Sequence, residues 1–404
     1  MLKFPIYADY NATTPVDKLV LEAMLPYFTQ HFGNAASRGH IMGLDADEAI
    51  INARKQVANL IGATDKEIIF TSGATESINL ALKGVFSLYR TKGNHIITVQ
   101  TAHKAMLESC EFIEKMGGEV TYLPVDKNGL VSPAVVEAAM KPTTILVALL
   151  HANNETGVIQ PLREISKVVH RHGAIVFSDA AQAIGKIKIQ VDDDGIDLMA
   201  ISAHKIYGPK GVGALYIRRK NPRVTLAPQI HGGGHERGLR SGTQNVPGIV
   251  GLGHAAMLCG AEMKEESLRL AALRARLEKG LLEIPRTFIN GKVAERLTHV
   301  TNICFEGIDS GTVLNGFNRK IAISTGSACS SALPSPSHVL QAMGLTAQEA
   351  SASFRFSLGR FSTEEEVDYI VEQVQLHVGM YRAQNPAWDE TKGKIIKDAA
   401  MIEK

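Results

Sequence analysis

Chemistry in this chain is concentrated in short polar segments that each follow an apolar run. The segment DLMAISAHKIYGPKGVGAL places Ser202, His204 and Lys205 directly after such a run. A lysine at the end of a buried strand loses hydration, so its neutral amine becomes available to form a Schiff base with a carbonyl group. Ser202 and His204 can both donate hydrogen bonds to a phosphate. A lysine that only closes a loop is the alternative interpretation of this motif.

A second segment, IVFSDAAQAIG, places Asp179 at another predicted strand end, with Gln182 three residues later. A buried carboxylate needs a partner. The pyridinium nitrogen of pyridoxal phosphate is such a partner, because an aspartate keeps this nitrogen protonated and the ring can then withdraw electrons. An aspartate that caps the following helix is the alternative, and it would be preferred if Lys205 were absent.

A third segment, FTSGATESINLALKG, predicts a strand, a tight turn and a helix. Helix N-termini bind phosphate through free N–H groups and the positive end of the dipole, which makes Thr75 and the amide of Ala74 candidate contacts. Thr-Glu before an apolar run is also an ordinary capping arrangement. The sequence contains no G-x-G-x-x-G after a strand and no G-x-x-x-x-G-K-[ST]. The usual motifs for binding a dinucleotide or a nucleotide triphosphate are therefore missing from the sequence.

Two further strand ends carry His103, in TAHKA, and Asn154, in HANNETG. His103 is a candidate to lie over a planar ring, although a single histidine is more often a hydrogen-bonded core residue. The segment HGGGHERG places His231 and His235 four residues apart. Three glycines between them argue against a helix and no third ligand is evident, so we interpret the segment as a flexible turn leading to RSGT.

Cys329 lies among small residues and two prolines in ISTGSACSSALPSPS, a composition typical of a mobile, exposed loop. A thiol in such a loop is accessible for nucleophilic attack. Free cysteines are usually buried, and the contexts of Cys110, Cys259 and Cys304 favour the core. Arg355 is predicted to lie in a short strand, from which a guanidinium can bind a substrate carboxylate through two hydrogen bonds.

An α/β fold must position these residues. Helical patterns alternate with short apolar runs between about residues 45 and 260, as in a mainly parallel sheet covered by helices, where ligands gather at the carboxyl ends of strands. We predict a large domain at 15–260 and a small α+β domain formed by 1–14 and 261–404, with a long helix at about 255–283, strands near 300–305 and 355–357, and a solvated tail from 382. Seven strands buried on both faces are predicted at 66–70, 95–99, 120–124, 145–150, 175–178, 198–202 and 213–217.

Composition limits the class of protein and its partners. The chain has 404 residues, 45% hydrophobic and 21% charged, with a formal net charge of +2, which gives no general affinity for nucleic acid or anionic membranes. Pro5 and Asp9 interrupt any signal peptide, and the apolar run at 145–150 is far shorter than a membrane span. The four separated cysteines favour neither a disulfide framework nor a structural zinc site. We expect a cytoplasmic protein.

The motifs together resemble the cysteine desulfurases of the NifS/IscS type, which are class V aminotransferases and fold-type I pyridoxal-phosphate enzymes. The motifs are YADYNATTP, FTSGATES, NNETG, SDAAQ, SAHKIYGPKGVGALY, GGGHERGLRSGT, STGSACSS and RFSLGRF, in this order over nearly the whole chain. The length and the extended tail resemble the housekeeping group that supplies sulfur for iron–sulfur cluster assembly. The resemblance implies a seven-stranded sheet in the large domain, a homodimer, L-cysteine as substrate, and an iron–sulfur scaffold protein among the sulfur acceptors.

The resemblance also implies a role for each candidate residue. Lys205 would bind the cofactor covalently, Asp179 would pair with the pyridine nitrogen, and Gln182 would contact the ring hydroxyl. His103 would stack on the ring and move protons. Cys329 would accept the sulfur as a persulfide and could also ligate an iron–sulfur cluster transiently; no other metal site is expected. The remaining implied contacts are Ala74, Thr75, Ser202, His204 and the other subunit's Thr243 to the phosphate, Asn154 to the ring or substrate, and Arg355 to the substrate carboxylate.

The chain departs from the family pattern at two positions. Ala102 stands where relatives usually carry a glutamate, and Thr325 stands where a serine is common. Neither position is expected to bond the cofactor, so the departures concern the tuning of His103 and of the loop. Because cofactor residues alone do not fix a substrate, an aminotransferase and a selenocysteine lyase remain alternatives, as does a catalytically idle scaffold. Cys329 argues against an aminotransferase, since transamination needs no loop thiol.

Overall fold

The computed structural model describes residues 2–293, 295–325, 336–386, 388–389 and 394–395, so Cys329 lies outside the described residues. The strands are β1 (Ile6–Tyr7), β2 (Ile68–Thr71), β3 (His95–Val99), β4 (Glu119–Leu123), β5 (Thr144–Leu150), β6 (Ile175–Asp179), β7 (Leu198–Ser202), β8 (Gly213–Ile217), β9 (Thr287–Asn290), β10 (Val300–Phe305), β11 (Ile321–Ala322), β12 (Ser324–Thr325), β13 (Ser353–Ser357), β14 (Trp388–Asp389) and β15 (Lys394–Ile395). The α-helices are α1 (Lys18–Met24), α2 (Pro26–Thr29), α3 (Ile41–Leu60), α4 (Ala74–Tyr89), α5 (Lys104–Lys115), α6 (Pro133–Ala139), α7 (Leu162–Arg171), α8 (Val246–Leu282), α9 (Ser310–Asn315), α10 (His338–Ala342), α11 (Ala347–Ser351) and α12 (Glu364–Gln384).

Seven strands form the large sheet, in the order β2-β8-β7-β6-β5-β3-β4. The pairs from β7 through β4 are parallel, whereas β8 runs antiparallel to both of its neighbours. This arrangement confirms the predicted α/β fold with a mainly parallel seven-stranded sheet. Because β5, β6 and β7 are adjacent and parallel, the polar residues that follow them meet at one edge of the sheet.

Two strands differ from the prediction. The strand predicted at 66–70 begins at Ile68, because Asp65–Glu67 form a 3-10 turn closed by Thr64 and Glu67 as a capping box. The strand predicted at 120–124 is β4, and the expectation of burial on both faces is wrong for it. β4 lies at the edge of the sheet, and only Leu123 of its five residues is fully buried. Position at the edge is not sufficient for this exposure, because β2 lies at the other edge and its four residues are all buried.

Helix α8 packs along α3. A Cβ added at Gly253 would lie 2.5 Å from the Cα of Ala53, so only glycine permits this close approach of the two helices. The helix begins at Val246, earlier than predicted, because the Asn245 side chain accepts from the amide of Gly248 as a cap. α8 is long and apolar enough to cross a membrane by length and composition, but 50% of its apolar window is buried inside the protein, as in a core helix.

A smaller antiparallel sheet, in the order β12-β13-β10-β9, follows α8 and is covered by α12. Because α8 runs through residue 260, the division into domains at that residue stays a prediction. The solvated tail predicted from 382 is wrong at its start, since α12 continues to Gln384. Arg382 is buried, and its guanidinium donates to the carbonyl oxygens of Pro285 and Glu306. The guanidinium also lies 4.2 Å from the ring centre of Trp388.

Candidate active site

A cleft of about 510 Å³ opens at the carboxyl ends of β5, β6 and β7, a volume within the range of small-molecule sites. Each of these strands ends in the cleft, with Leu150, Asp179 and Ser202. The structure brings together almost the whole predicted set. The predicted residues that line the cleft are Ala74, Thr75, His103, Asn154, Asp179, Gln182, Ser202, His204, Lys205 and Arg355.

Two predicted residues are not placed in this cleft. Thr243 is exposed and does not line the cleft of its own chain, so its implied role requires a second copy. Cys329, the proposed sulfur acceptor, lies outside the described residues. The prediction for the other three cysteines is confirmed. Cys110, Cys259 and Cys304 are buried, and burial raises the pKa of each thiol to about 12, which suppresses the reactive thiolate.

Lys205 ends a 3-10 turn, Ala203–Lys205, directly after β7. Its Nζ donates to the carbonyl oxygens of Asn11 at 2.5 Å and Ala12 at 2.7 Å. Both acceptors belong to the N-terminal segment that follows β1, which sequence reasoning included in a motif without assigning a function to it. Backbone carbonyls have no side-chain signature, so only the fold identifies these contacts.

Asp179 ends β6 and is 3% exposed. Its Oδ1 accepts from the amide of Ala181 at 3.0 Å. Burial raises the pKa of Asp179, while the positive charges of His103 and Lys205 and the Ala181 hydrogen bond oppose that change. A cationic N–H partner in the cleft would stabilise the carboxylate form of this side chain.

Gln182 lies one turn beyond Asp179. Its Nε2 donates to the carbonyl oxygen of Asn11 at 2.9 Å, and its Oε1 accepts from Lys186 Nζ at 3.1 Å. The lysine therefore fixes which end of the amide is the donor. Burial is the main cause that lowers the pKa of Lys186 to about 7, with the charge of Lys205 acting in the same direction.

The start of α4 also lines the cleft. Gly73 precedes this helix with φ of +154°, and no side chain within the described residues caps its first turn. The alternative of a capping Thr-Glu pair is therefore wrong for Thr75, although Glu76 does accept from the amide of Ser72 at 2.7 Å. Arg240 pairs with Glu76 at 2.9 Å. The amides of the first turn remain available for an anion.

His204 also lines the cleft. Its Nδ1 is 3.1 Å from Thr13 Oγ1. Burial, and then the nearby charges of Lys205 and Lys210, lower the pKa of His204 to about 4. The imidazole is therefore neutral at neutral pH, and it can donate only one N–H to an anion.

Arg355, on β13, enters the cleft from the small sheet. One terminal nitrogen donates to Asp9 Oδ1 at 2.6 Å and to Ser324 Oγ at 3.1 Å, and the other donates to the carbonyl oxygen of Asn154 at 3.2 Å. Its Nε is buried and has no partner among the described residues. Sequence reasoning missed Asp9, whose carboxylate shares this guanidinium.

His103 caps α5, since its Nδ1 accepts from the amide of Ala105 at 3.2 Å. This bond places the proton of the neutral ring on Nε2. The preceding residue, Ala102, is fully buried, and its carbonyl oxygen accepts from Nε2 of His338 at 3.1 Å. Ala102, one of the two positions that depart from the family pattern, is therefore a buried residue adjacent to His103.

Within the described ranges, no three His, Cys, Asp or Glu side chains are arranged to hold a metal ion. The segment with His231 and His235 instead leads into a buried ion pair. Glu236 accepts two hydrogen bonds from Arg54, at 2.7 and 2.8 Å, and one from the amide of Phe70 at 2.9 Å. The predicted flexible turn thus ends at a firmly held residue, which the sequence pattern did not indicate.

The donor set fits pyridoxal phosphate. The uncapped start of α4, with Thr75, Ser202 and His204 nearby, suits a phosphate group. Asp179 is a buried carboxylate suited to a pyridinium N–H, and Lys205 supplies the amine in the same cleft.

Comparison with known proteins agrees with this site. The aminotransferase class-V family matches residues 6–370. The chain is 52% identical over 395 residues to the cysteine desulfurase IscS of Anaeromyxobacter dehalogenans strain 2CP-C, covering 98% of this chain and 97% of the relative. It is 49% identical over 404 residues to the enzyme of the same name from Mannheimia succiniciproducens, covering 100% and 99%.

Two solved structures have closely similar folds. A NifS-like protein superposes with a TM-score of 0.87 at 38% sequence identity, covering 93% of this chain and 100% of that chain. The structure described as SspA in complex with cysteine gives a TM-score of 0.79 at 40% identity, covering 89% and 100%.

Proposed function

Because the chain belongs to the aminotransferase class-V family and, within it, to the IscS-type cysteine desulfurases, we propose that it removes the sulfur of L-cysteine, with L-alanine and a persulfide on Cys329 as products. One observation supports this proposal most directly. Asp179 on β6, Lys205 in the turn after β7 and Arg355 on β13 line a single cleft. They provide an amine, a buried carboxylate and a carboxylate-binding cation together.

The resident cofactor in this proposal is pyridoxal phosphate, which when bound supplies an electron sink that weakens bonds at the reacting carbons of the substrate. Lys205 would hold it covalently and Asp179 would keep a proton on the ring nitrogen. Gln182, oriented by Lys186, donates toward the ring hydroxyl. The start of α4, with Ala74, Thr75, Ser202 and His204, would hold the phosphate.

Arg355 orients the substrate by its carboxylate, with Asn154 beside it. The guanidinium is already held by Asp9 and Ser324, so it does not have to be ordered when the substrate arrives. Its buried Nε offers a further donor toward a carboxylate. This pre-organised geometry favours amino acids that have a free α-carboxylate.

Proton transfer falls to Lys205 and His103, which line the same cleft. The thiolate of Cys329 attacks the substrate sulfur, so an S–S bond forms while the C–S bond of the substrate breaks. The electron pair of that bond stays with the substrate carbon, which then takes up a proton and leaves as alanine. A second acceptor afterwards removes the sulfur from Cys329.

The assembly and partners proposed here follow the family. The functional unit is a homodimer in which each phosphate site is completed by Thr243 of the other subunit, and the persulfide passes to an iron–sulfur scaffold protein or another acceptor. Thr243 is exposed and does not line the cleft of its own chain, which agrees with a contact to the other subunit. The reaction would take place in the cytoplasm.

Alanine formation from L-cysteine by the purified protein tests the proposal. Wild-type protein should form alanine and carry a persulfide on Cys329, detectable by mass spectrometry. Cys329→Ser should retain cofactor and cysteine binding but form no alanine, because a hydroxyl is a poor sulfur acceptor. The matched control is Cys304→Ser, which alters a buried thiol. A keto acid in place of alanine would indicate an aminotransferase, and alanine at the wild-type rate from Cys329→Ser would refute the role of that cysteine.

A further inference from the structure

The start of α10 is hydrogen-bonded to residues adjacent to those that line the cleft. Ser337 Oγ donates to Glu155 Oε2 at 2.5 Å, and the next residue, His338, donates from Nε2 to the carbonyl oxygen of Ala102 at 3.1 Å. Glu155 follows β5 and Ala102 follows β3. Two consecutive residues therefore bond to two strand ends of the large sheet.

Glu155 is a buried carboxyl that the proposed chemistry does not use. It is 6% exposed, and its amide donates to Asn153 Oδ1 at 2.9 Å. Burial raises the pKa of Glu155 to about 7, against the opposing effects of the Ser337 hydroxyl and of the charges on Arg355 and His103. Burying such a group costs free energy unless it is hydrogen-bonded, and the carboxyl group of Glu155 is bonded to Ser337.

Ser337 links its hydrogen bond with Glu155 to the start of helix α10. Its Oγ also accepts from the amide of Leu340 at 3.2 Å, so the hydroxyl that contacts Glu155 is the N-cap of α10. Val339 and Leu340 are buried in a small cluster with Met343 and Ala350. The start of α10 is therefore fixed both to its own core and to the cleft.

Cys329 precedes Ser337 by eight residues. Eight residues span at most about 28 Å, so the fixed position of Ser337 sets an upper limit on the distance of Cys329 from it. The other described end of this segment is held as well. Ser324, on β12, accepts from Arg355 at 3.1 Å. Both ends are thus fastened beside the substrate-binding residues.

We propose that Glu155 is a positioning residue: through Ser337 it holds the start of α10 against the cleft, and so sets the approach of Cys329 to the substrate sulfur. This inference rests on the proposed function of Cys329 as sulfur acceptor. Glu155 does not line the cleft. Its loss should therefore slow sulfur transfer without weakening cysteine binding.

The test compares Ser337→Ala, Glu155→Ala and Glu155→Gln in the full-length protein loaded with pyridoxal phosphate. Single-turnover alanine formation should slow about ten- to a hundredfold in both alanine variants, the scale expected when reacting groups are misplaced by about 1 Å. The dissociation constant for cysteine, measured from the change in cofactor absorbance, should stay unchanged. Glu155→Gln should recover most of the rate, because its amide oxygen can still accept from Ser337.

Thr346→Ala is the matched control, because Thr346 caps α11 as Ser337 caps α10 but has no bond to the cleft. It should match Ser337→Ala in thermal stability and keep the wild-type rate of alanine formation. If Glu155→Ala fails to fold, Ser337→Ala against Thr346→Ala decides the question. Equal rates in Ser337→Ala and wild type would overturn the inference, and so would a rate loss matched by weaker cysteine binding. A wild-type protein that forms no alanine would instead overturn the proposed function.

Discussion

Arg355 on β13 lies 2.6 Å from Asp9, a residue 346 positions earlier in the chain. The ion pair fastens the N-terminal segment to the small sheet at the point where both enter the cleft. If Arg355 binds the substrate carboxylate as proposed, that carboxylate would share the guanidinium with Asp9. The affinity for substrate would then depend on Asp9 as well as on Arg355.

Arg355→Ala should raise the Michaelis constant for cysteine and leave the cofactor absorbance intact. Loss of one charge-assisted hydrogen bond costs about 1.5–3 kcal/mol, which corresponds to about ten- to 150-fold in affinity. Steady-state kinetics at saturating cofactor would measure the change. Asp9→Asn is the comparison, since it keeps the side-chain volume and removes the competing charge. An unchanged Michaelis constant in Arg355→Ala would refute the assignment.

Lys205 should be the residue that binds the cofactor covalently, because it lies in the cleft at the end of β7. Borohydride reduction followed by peptide mapping should label Lys205, and Lys205→Ala should lose the label. Lys186 is the demanding control, since burial also lowers the pKa of its amine to about 7. Lys186→Met should keep the label on Lys205. A label on Lys186 in the wild-type protein would show that the assignment is wrong.

Removing one partner of the buried ion pair between Arg54 and Glu236 should strongly lower the free energy of unfolding. Both side chains are almost inaccessible, at 10% and 2% exposure, so Glu236→Gln leaves a buried guanidinium without its counter-charge. We expect a loss of about 3–5 kcal/mol in the free energy of unfolding, measured with urea. Asp368→Asn is the control, because its ion pair with Arg276 is exposed to solvent and should contribute little to stability. Equal losses in both variants would contradict this prediction.

Stability should fall as the pH decreases from about 6.5 toward 4. Burial lowers the pKa of His151 to about 4 from its usual value of 6.5, so the folded protein favours the neutral ring. Above the pKa of the unfolded chain, 6.5, the contribution of the neutral His151 to stability is fully present. It is lost as the pH falls toward the pKa in the folded protein, about 4. His151→Gln should flatten the fall in unfolding free energy between pH 7 and pH 5. His172→Gln, at an exposed position, should leave the slope unchanged; an unaltered slope in His151→Gln would count against the prediction.

Much of the site could be predicted from the sequence because its residues follow apolar runs. The runs before Asp179 and Lys205 are buried strands, and parallel strands end at a common edge, so proximity followed from the local pattern alone. The same local patterns placed Cys110, Cys259 and Cys304 in the core. Periodicity carries this information because burial acts on each strand separately.

Only the tertiary structure decided which distant segments complete the site. The carbonyl oxygens of Asn11 and Ala12 meet Lys205, Asp9 meets Arg355, and Glu155 meets Ser337, each pair separated by more than 180 residues. The burial of the two edge strands was likewise decided by the fold, since β2 is buried throughout whereas β4 is largely accessible. A local pattern reports which face of an element is buried, but long-range hydrogen bonds depend on how elements are arranged in space, and that arrangement is specified by the packing of the whole chain.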